Sequence, residues 1–321
     1  MHELVAFIGQ CFASGMLLRS TCVLFVIPIV AWLVVRALLP LIERLDGDPG
    51  SQAPLAAIAA IIPGGLLLAL SMFGLITSFK SPCLQTPAGQ VLFGITAALV
   101  SLATARATLL ARRRSAEARM LVSQSRAARG RLADLARELD IHVGVLDEST
   151  PFCALTGTIR PVVLVSSGAL ERLTDSELQA TLLHERGHAR RGDQAVAAIL
   201  AFMVDLLPLP APRFVALYRQ ARELAADDHA LRQVAAYDLA AALLTFLSAS
   251  RSVPTMASIG DHGRLRLERL LLGTRAPLRA GKLRVAVAFA LGLTVVGGIA
   301  PALAELQSLS CFTMNATMQA R

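Results

Sequence analysis

Lysine is almost missing from this chain: of 321 residues only Lys80 and Lys282 are lysines, so arginine carries nearly all of a formal charge of +8. Aromatic residues are scarce at 5%, with one Trp and two Tyr, while apolar residues reach 55% and the mean hydropathy is +0.58. A soluble domain is less apolar than this. The excess is Ala, Leu, Val and Ile, the composition of lipid-facing helices. The basic balance has no nucleic-acid-binding motif beside it, so direct nucleic-acid binding is not expected. The five cysteines, Cys11, Cys22, Cys83, Cys153 and Cys311, have no metal-ligand spacing, which excludes a cysteine zinc site. The start, Met1-His2-Glu3, lacks the positive region of a secretory signal and leads into too long an apolar stretch.

What the chain does have is long apolar runs. Residues 21–42, 53–77, 91–110 and 285–304 each come near the ~20 residues that cross ~30 Å of hydrocarbon. The second holds no charge, and Pro63-Gly64-Gly65 is placed to kink it. Residues 4–18 and 195–207 are borderline; the latter holds Asp205 and reads as a core or membrane-touching helix. Arg112, Arg113, Arg114 and Arg119 follow the third run, and Arg275, Arg279, Lys282 and Arg284 precede the fourth. Positive residues stay on the cytoplasmic side, so the segment between those runs is expected there and both termini outside. Cys83 and Cys311 then share the outer side, where they either form a disulfide or remain free thiols. Cys153 reads as a small buried apolar residue.

The segment between the third and fourth runs has a mixed α/β pattern. A polar, basic helix is expected over 115–139 and a strand over 141–146. Two short strands around a turn are expected over 155–165. Thr174 with Glu177 forms a capping box that opens a helix, and Gly192 closes it. Within that helix stands His184-Glu185-Arg186-Gly187-His188, an H-E-x-x-H motif. Positions i and i+4 share a helix face, so both imidazoles point at one spot, the arrangement that holds zinc with Glu185 as the base beside it. Further helices are expected over 212–233, 237–251 and 263–272.

Two histidines do not complete a catalytic zinc site, which takes three protein ligands and an open position. Glu223 and Asp227, again i and i+4, supply a third ligand and an acceptor that fixes a histidine tautomer. Asp228 and His229 are rivals for the third ligand. Asp193 is too close in sequence to fold back onto the metal and is expected to cap its helix or pair with Arg190 or Arg191. His2, His142 and His262 have no partner at ligand spacing and read as structural or exposed. Tyr218, Tyr237 and His229 are candidates for a donor to a developing oxyanion. Glu185 is expected to take a proton from a zinc-activated water and pass it to the leaving amine. Residues 162–165 are expected to pair with an extended substrate.

With residues 160–165, 173–178 and 183–193 in view, the chain resembles the membrane zinc peptidases of the BlaR/MecR type. Arg222-Glu223-Leu224-Ala225-Ala226-Asp227 matches the place where that family and the wider gluzincin group carry the glutamate ligand and its aspartate. Residues 264–271 resemble the arginine-leucine segment that follows. The resemblance implies an α-helical membrane protein of about four spans with a cytoplasmic α+β gluzincin-like zinc peptidase domain. The divisions are 1–111, a membrane region with three spans; 112–284, the peptidase domain; and 285–321, the fourth span and a short outer tail. It further implies Zn2+ on His184, His188 and Glu223, a bacterial cytoplasmic membrane, and a protein substrate such as a winged-helix repressor of the BlaI type. About 17 residues follow residue 304, with no room for the penicillin-binding domain of the family's β-lactam sensors, so direct antibiotic sensing is not expected. Other readings are a quality-control protease like the HtpX or CAAX-processing enzymes, and a non-catalytic metal-binding membrane receptor.

Overall fold

The fold is that of a computed structural model and is described for residues 27–44, 49–78, 87–206, 212–250, 257–273 and 284–297. Among the described residues three helices come first: α1 (Ile27–Glu43), α2 (Pro49–Ser78) and α3 (Pro87–Gln124). On α1 the buried positions Pro28, Ala31, Val35, Leu39 and Ile42 recur every three or four residues and form one stripe. The Gln52 amide of α2 donates to the Ile42 carbonyl at 3.1 Å, filling one of the acceptors a helix end leaves open. Among the described residues one helix segment, Pro49–Met72, is long and apolar enough to cross a membrane.

The helix expected over 115–139 is two elements. α3 runs unbroken through the 111/112 division and stops at Gln124, and α4 (Gly130–Glu138) starts afresh. The Ser123 and Ser125 hydroxyls donate to the Met120 and Val122 carbonyls, both at 2.7 Å. Such local side-chain bonds compete with the helix ladder, and apolar periodicity does not register them.

The short strand β1 (Arg126–Ala127) lies between those two helices, and β2 (Val143–Leu146), β3 (Cys153–Thr156) and β4 (Val162–Ser166) follow α4. The sheet order is β1-β2-β4-β3. β4 runs parallel to β2, with Val143 opposite Val163, and antiparallel to β3, with Leu155 opposite Val163. Residues 162–165 therefore lie in the middle of the sheet, both edges used. The expected pairing of substrate there is overturned; the edge strands are β1 and β3, and β3 is the one beside β4.

The remaining helices are α5 (Ser167–Arg172), α6 (Asp175–Arg191), α7 (Asp193–Leu206), α8 (Pro212–Ala230), α9 (Ala236–Ser250), α10 (Ala257–Leu272) and α11 (Arg284–Gly297). Two apolar clusters result. One joins α1 and α2 to Leu200, Phe214, Tyr218, Ala221, Val287 and Leu291. The other joins α4, the sheet, α6 and α9 to Ala230 and Leu270. α8 takes part in both, its first half against α2 and its end in the second core. Asp205, the charge near the end of the apolar stretch of α7, is paired with Arg114 of α3 at 2.7 Å. Cys11, Cys22, Cys83 and Cys311, the stretch 4–18 and the end of the fourth run lie outside the described residues.

Candidate metal centre

α6 begins with the expected capping box: Glu177 N–H donates to the Thr174 hydroxyl at 3.3 Å, and Thr174 N–H to the Glu177 carboxylate at 2.8 Å. Such caps contribute ~1 kcal/mol each. Ten residues into the helix, counted from Thr174, comes His184, with His188 one turn further; each is 5% exposed. Their Nε2 atoms stand 3.1 Å apart. Glu223 arrives from α8, with Oε2 3.3 Å from His184 Nε2 and Oε1 3.5 Å from His188 Nε2. Four-coordinate zinc with bonds of about 2.1 Å separates its ligand atoms by about 3.4 Å. The three observed spacings fit that figure, so the triangle can hold such an ion. The group has three members among the described residues.

The approach of α8 depends on the third residue between the histidines' ends of the motif, Gly187. A Cβ there would stand 3.3 Å from Ala226 Cα and 3.1 Å from His229 Cβ. Glycine thus lets the two helices close to the distance at which Glu223 meets both imidazoles.

Each histidine has its own carboxylate behind it. Asp227 Oδ1 lies 2.9 Å from His184 Nδ1, and Asp193 Oδ2 lies 2.6 Å from His188 Nδ1. A carboxylate accepts only, so each Nδ1 carries a proton and each Nε2 is directed at the metal position. Sequence reasoning placed Asp227 in this role and missed Asp193. The pairing of Asp193 with Arg191 is present, at 2.7 Å, but the carboxylate also reaches back to His188. The cause is Gly192, which ends α6 in the left-handed region (φ 65) and turns the next residue back over the helix end.

Arg266 of α10 is the second residue missed. Its Nε and Nη2 take both oxygens of Asp227, at 2.9 and 2.7 Å, and its Nη1 reaches Glu223 Oε2 at 3.2 Å. Arg222 donates to the other Glu223 oxygen at 2.9 Å. Burial works against ionisation of Glu223, but the hydrogen bonds from both histidines hold its carboxyl well below the usual range. Burial likewise opposes ionisation of Asp227, and Arg266 and His184 reverse it. Burial and Arg266 push the His184 imidazolium toward losing its proton, yet the bonds to Asp227 and Glu223 prevail and hold its pKa up at about 9.

A metal must displace that proton from His184. Apparent metal affinity is therefore expected to climb by about tenfold per pH unit below about 9 and to level off above it. Metal titrations of the purified protein at about pH 6.5 and about pH 8.5 should differ by about two decades. Equal affinities would show that the His184 proton is not what the metal displaces.

Glu185 is 8% exposed and receives the Leu155 N–H of β3 on Oε2 at 2.8 Å. The Leu155 carbonyl takes the Gln194 amide at 2.7 Å. The rival ligands stand elsewhere: Asp228 pairs with Arg269 at 3.0 Å, and His229 packs on Gly187, its pKa lowered by burial and by Arg190. Of the proposed oxyanion donors, Tyr237 is 75% exposed. The Tyr218 hydroxyl donates to the Asp193 carbonyl at 3.2 Å, and burial pushes its pKa up to about 12. Cys153 is partly buried and free, its thiol raised by burial and then by Glu185. His142 is exposed; His2 and the side chain of His262 lie outside the described residues.

An H-E-x-x-H helix facing a glutamate from a later helix, with an edge strand beside the motif's own glutamate, is the arrangement of a peptidase. The family model described as BlaR1 peptidase M56 matches residues 88–269, from the start of α3 to the end of α10, and the chain belongs to that family of membrane peptidases. Protease HtpX of Psychrobacter sp. (strain PRwf-1) is 37% identical over 65 residues, 20% of this chain. The chain spans 22% of the length of that relative. No solved structure matches.

Proposed function

We propose that the chain is a multi-pass, zinc-dependent endopeptidase of a bacterial cytoplasmic membrane. It would cut a cytoplasmic protein, with a winged-helix repressor of the BlaI type as the leading candidate. The observation that carries the reading is the triangle of His184, His188 and Glu223, closed to zinc dimensions, with Glu185 beside an edge strand.

Zinc, when bound, supplies a Lewis acid that polarises a carbonyl and acidifies water. The protein does the rest. Asp227 and Asp193 fix the imidazoles, and Glu223 is held between Arg222 and Arg266. The Glu185 carboxylate takes a proton from water and returns it to the leaving nitrogen. Substrate runs along β3, the edge strand beside Glu185, by backbone pairing.

Apolar side chains left exposed support several spans. On α3 these are Val91, Ile95, Leu99, Leu102 and Leu109, and on α11 Val285, Phe289, Leu293 and Val296, each set in a stripe at helical spacing. Stripes of that size seek lipid or a partner. Arg112, Arg113 and Arg114 after the apolar part of α3 and Arg284 at the start of α11 favour a cytoplasmic peptidase domain. A second reading, a quality-control protease, is kept beside it because the chain is 37% identical over 65 residues to Protease HtpX. Cleavage of a repressor and not of a damaged membrane protein would decide for signalling. A closed structural site needs a fourth ligand, and among the described residues none joins the three.

The first test is metal content in detergent. Wild type is expected to carry about one zinc per chain, the capacity of a three-ligand site, and Glu223→Ala far less. Full retention by the variant would remove Glu223 from the ligand set, and a metal-free wild type would overturn the zinc reading.

A further inference from the structure

Leu155 turns both of its backbone groups out of the sheet, and both are occupied. Its N–H donates to Glu185 Oε2 at 2.8 Å, and its carbonyl accepts from Gln194 Nε2 at 2.7 Å. In an antiparallel pair one residue exchanges both bonds with the residue opposite it. Glu185 therefore stands where the carbonyl of a paired residue would be, and Gln194 where its N–H would be. Together the two side chains imitate one residue of a bound strand on the edge of β3.

We propose that Gln194 is a latch on the substrate edge: a chain pairing with Leu155 must displace it, and the same chain releases Glu185 from the Leu155 N–H. The proposal rests on reading the protein as an endopeptidase that binds substrate along β3. Its parts are all in place around the edge. Gln194 opens α7 directly after Asp193, whose carboxylate is fixed by His188 and Arg191 and whose carbonyl takes the Tyr218 hydroxyl. The amide is thereby held at Leu155 by a rigid helix start and not by a free loop. Further along, α7 is pinned: Asp205 is paired with Arg114 of α3, and a Cβ on Gly64 of α2 would stand 2.6 Å from the Met203 carbonyl. Gln194 is only partly buried, so its side chain has room to swing aside without α7 moving. The effect is a positioning one, since the Gln194 amide acts through the Leu155 carbonyl. A substrate gains the Leu155 carbonyl only by breaking an existing bond, which weakens binding by about the worth of one neutral hydrogen bond.

Two variants separate this from packing. Gln194→Ala removes the side chain, and Gln194→Glu keeps its size but removes the donor at neutral pH. Zinc-loaded wild type and both variants would be given fluorescein-labelled casein in detergent. KM is expected to fall by about three- to tenfold in both variants, the range of one hydrogen bond, with kcat and zinc content unchanged. An unchanged or raised KM in Gln194→Glu overturns the latch. Binding of the same casein, followed by anisotropy, would be compared between Glu185→Gln and Glu185→Gln/Gln194→Ala. This arm does not depend on cleavage: tighter binding by the double variant supports the latch, and equal, weaker or absent binding in both overturns it. Loss of the peptidase reading would show separately, as no zinc-dependent cleavage by wild type.

Discussion

Glu185→Gln is expected to keep its metal and to cut substrate about 10²- to 10⁴-fold more slowly, the usual contribution of a positioned general base. The change is close to isosteric. The amide oxygen can still accept the Leu155 N–H that the carboxylate accepts at 2.8 Å, so the contact between α6 and β3 survives. Neither His184 nor His188 is bonded to Glu185; their carboxylate partners are Asp227, Asp193 and Glu223. Loss of the base should thus leave the metal triangle intact. Zinc content and cleavage of casein, measured on one preparation, provide the check. Full activity in a zinc-replete variant would remove Glu185 from the chemistry, and loss of zinc together with activity would make its role structural.

What could be read from sequence was what is local. The two histidines and the Thr174–Glu177 box lie within single turns of one helix, and helical spacing alone places them on it. Glu223 and Asp227 are also one turn apart. Their meeting with α6 additionally requires the close crossing at Gly187, which spacing does not reveal. Asp193 escaped because its contact depends on a backbone conformation, the left-handed Gly192, and not on periodicity. Arg266 escaped because it stands 39 residues beyond Asp227 on another helix. A lone arginine in an arginine-rich stretch carries no signal of its partner. The strand at 141–146 and the two short strands within 155–165 were visible, but their order in the sheet was not. Residues 162–165 were expected to pair with an extended substrate, and their run of apolar residues was not weighed against a central place in the sheet. The run is apolar because β4 is central, between β2 and β3. The family match to residues 88–269 covers the part whose motifs were legible.

Removing Asp227 should separate the stability of the site from its metal chemistry. The residue is 1% exposed and binds the Arg266 guanidinium through both oxygens, with His184 on one of them. Breaking such a pair leaves a buried cation without its partner, at a cost of about 3–5 kcal/mol. Asp227→Ala is therefore expected to unfold at markedly lower denaturant than wild type in detergent, both metal-free, as followed by circular dichroism. Asp227→Ala/Arg266→Met should recover much of that loss, because an apolar chain of similar length no longer needs a counter-charge. Metal affinity should not recover with it. In both variants His184 Nδ1 has lost its acceptor, and a missing outer partner costs about 10- to 100-fold. A double variant no more stable than Asp227→Ala would mean that Arg266 is tolerated without Asp227, with Glu223 as sufficient partner. A double variant that also regained full affinity would mean that Asp227 serves the metal only by restraining Arg266, and that the 2.9 Å bond to His184 contributes nothing to orientation.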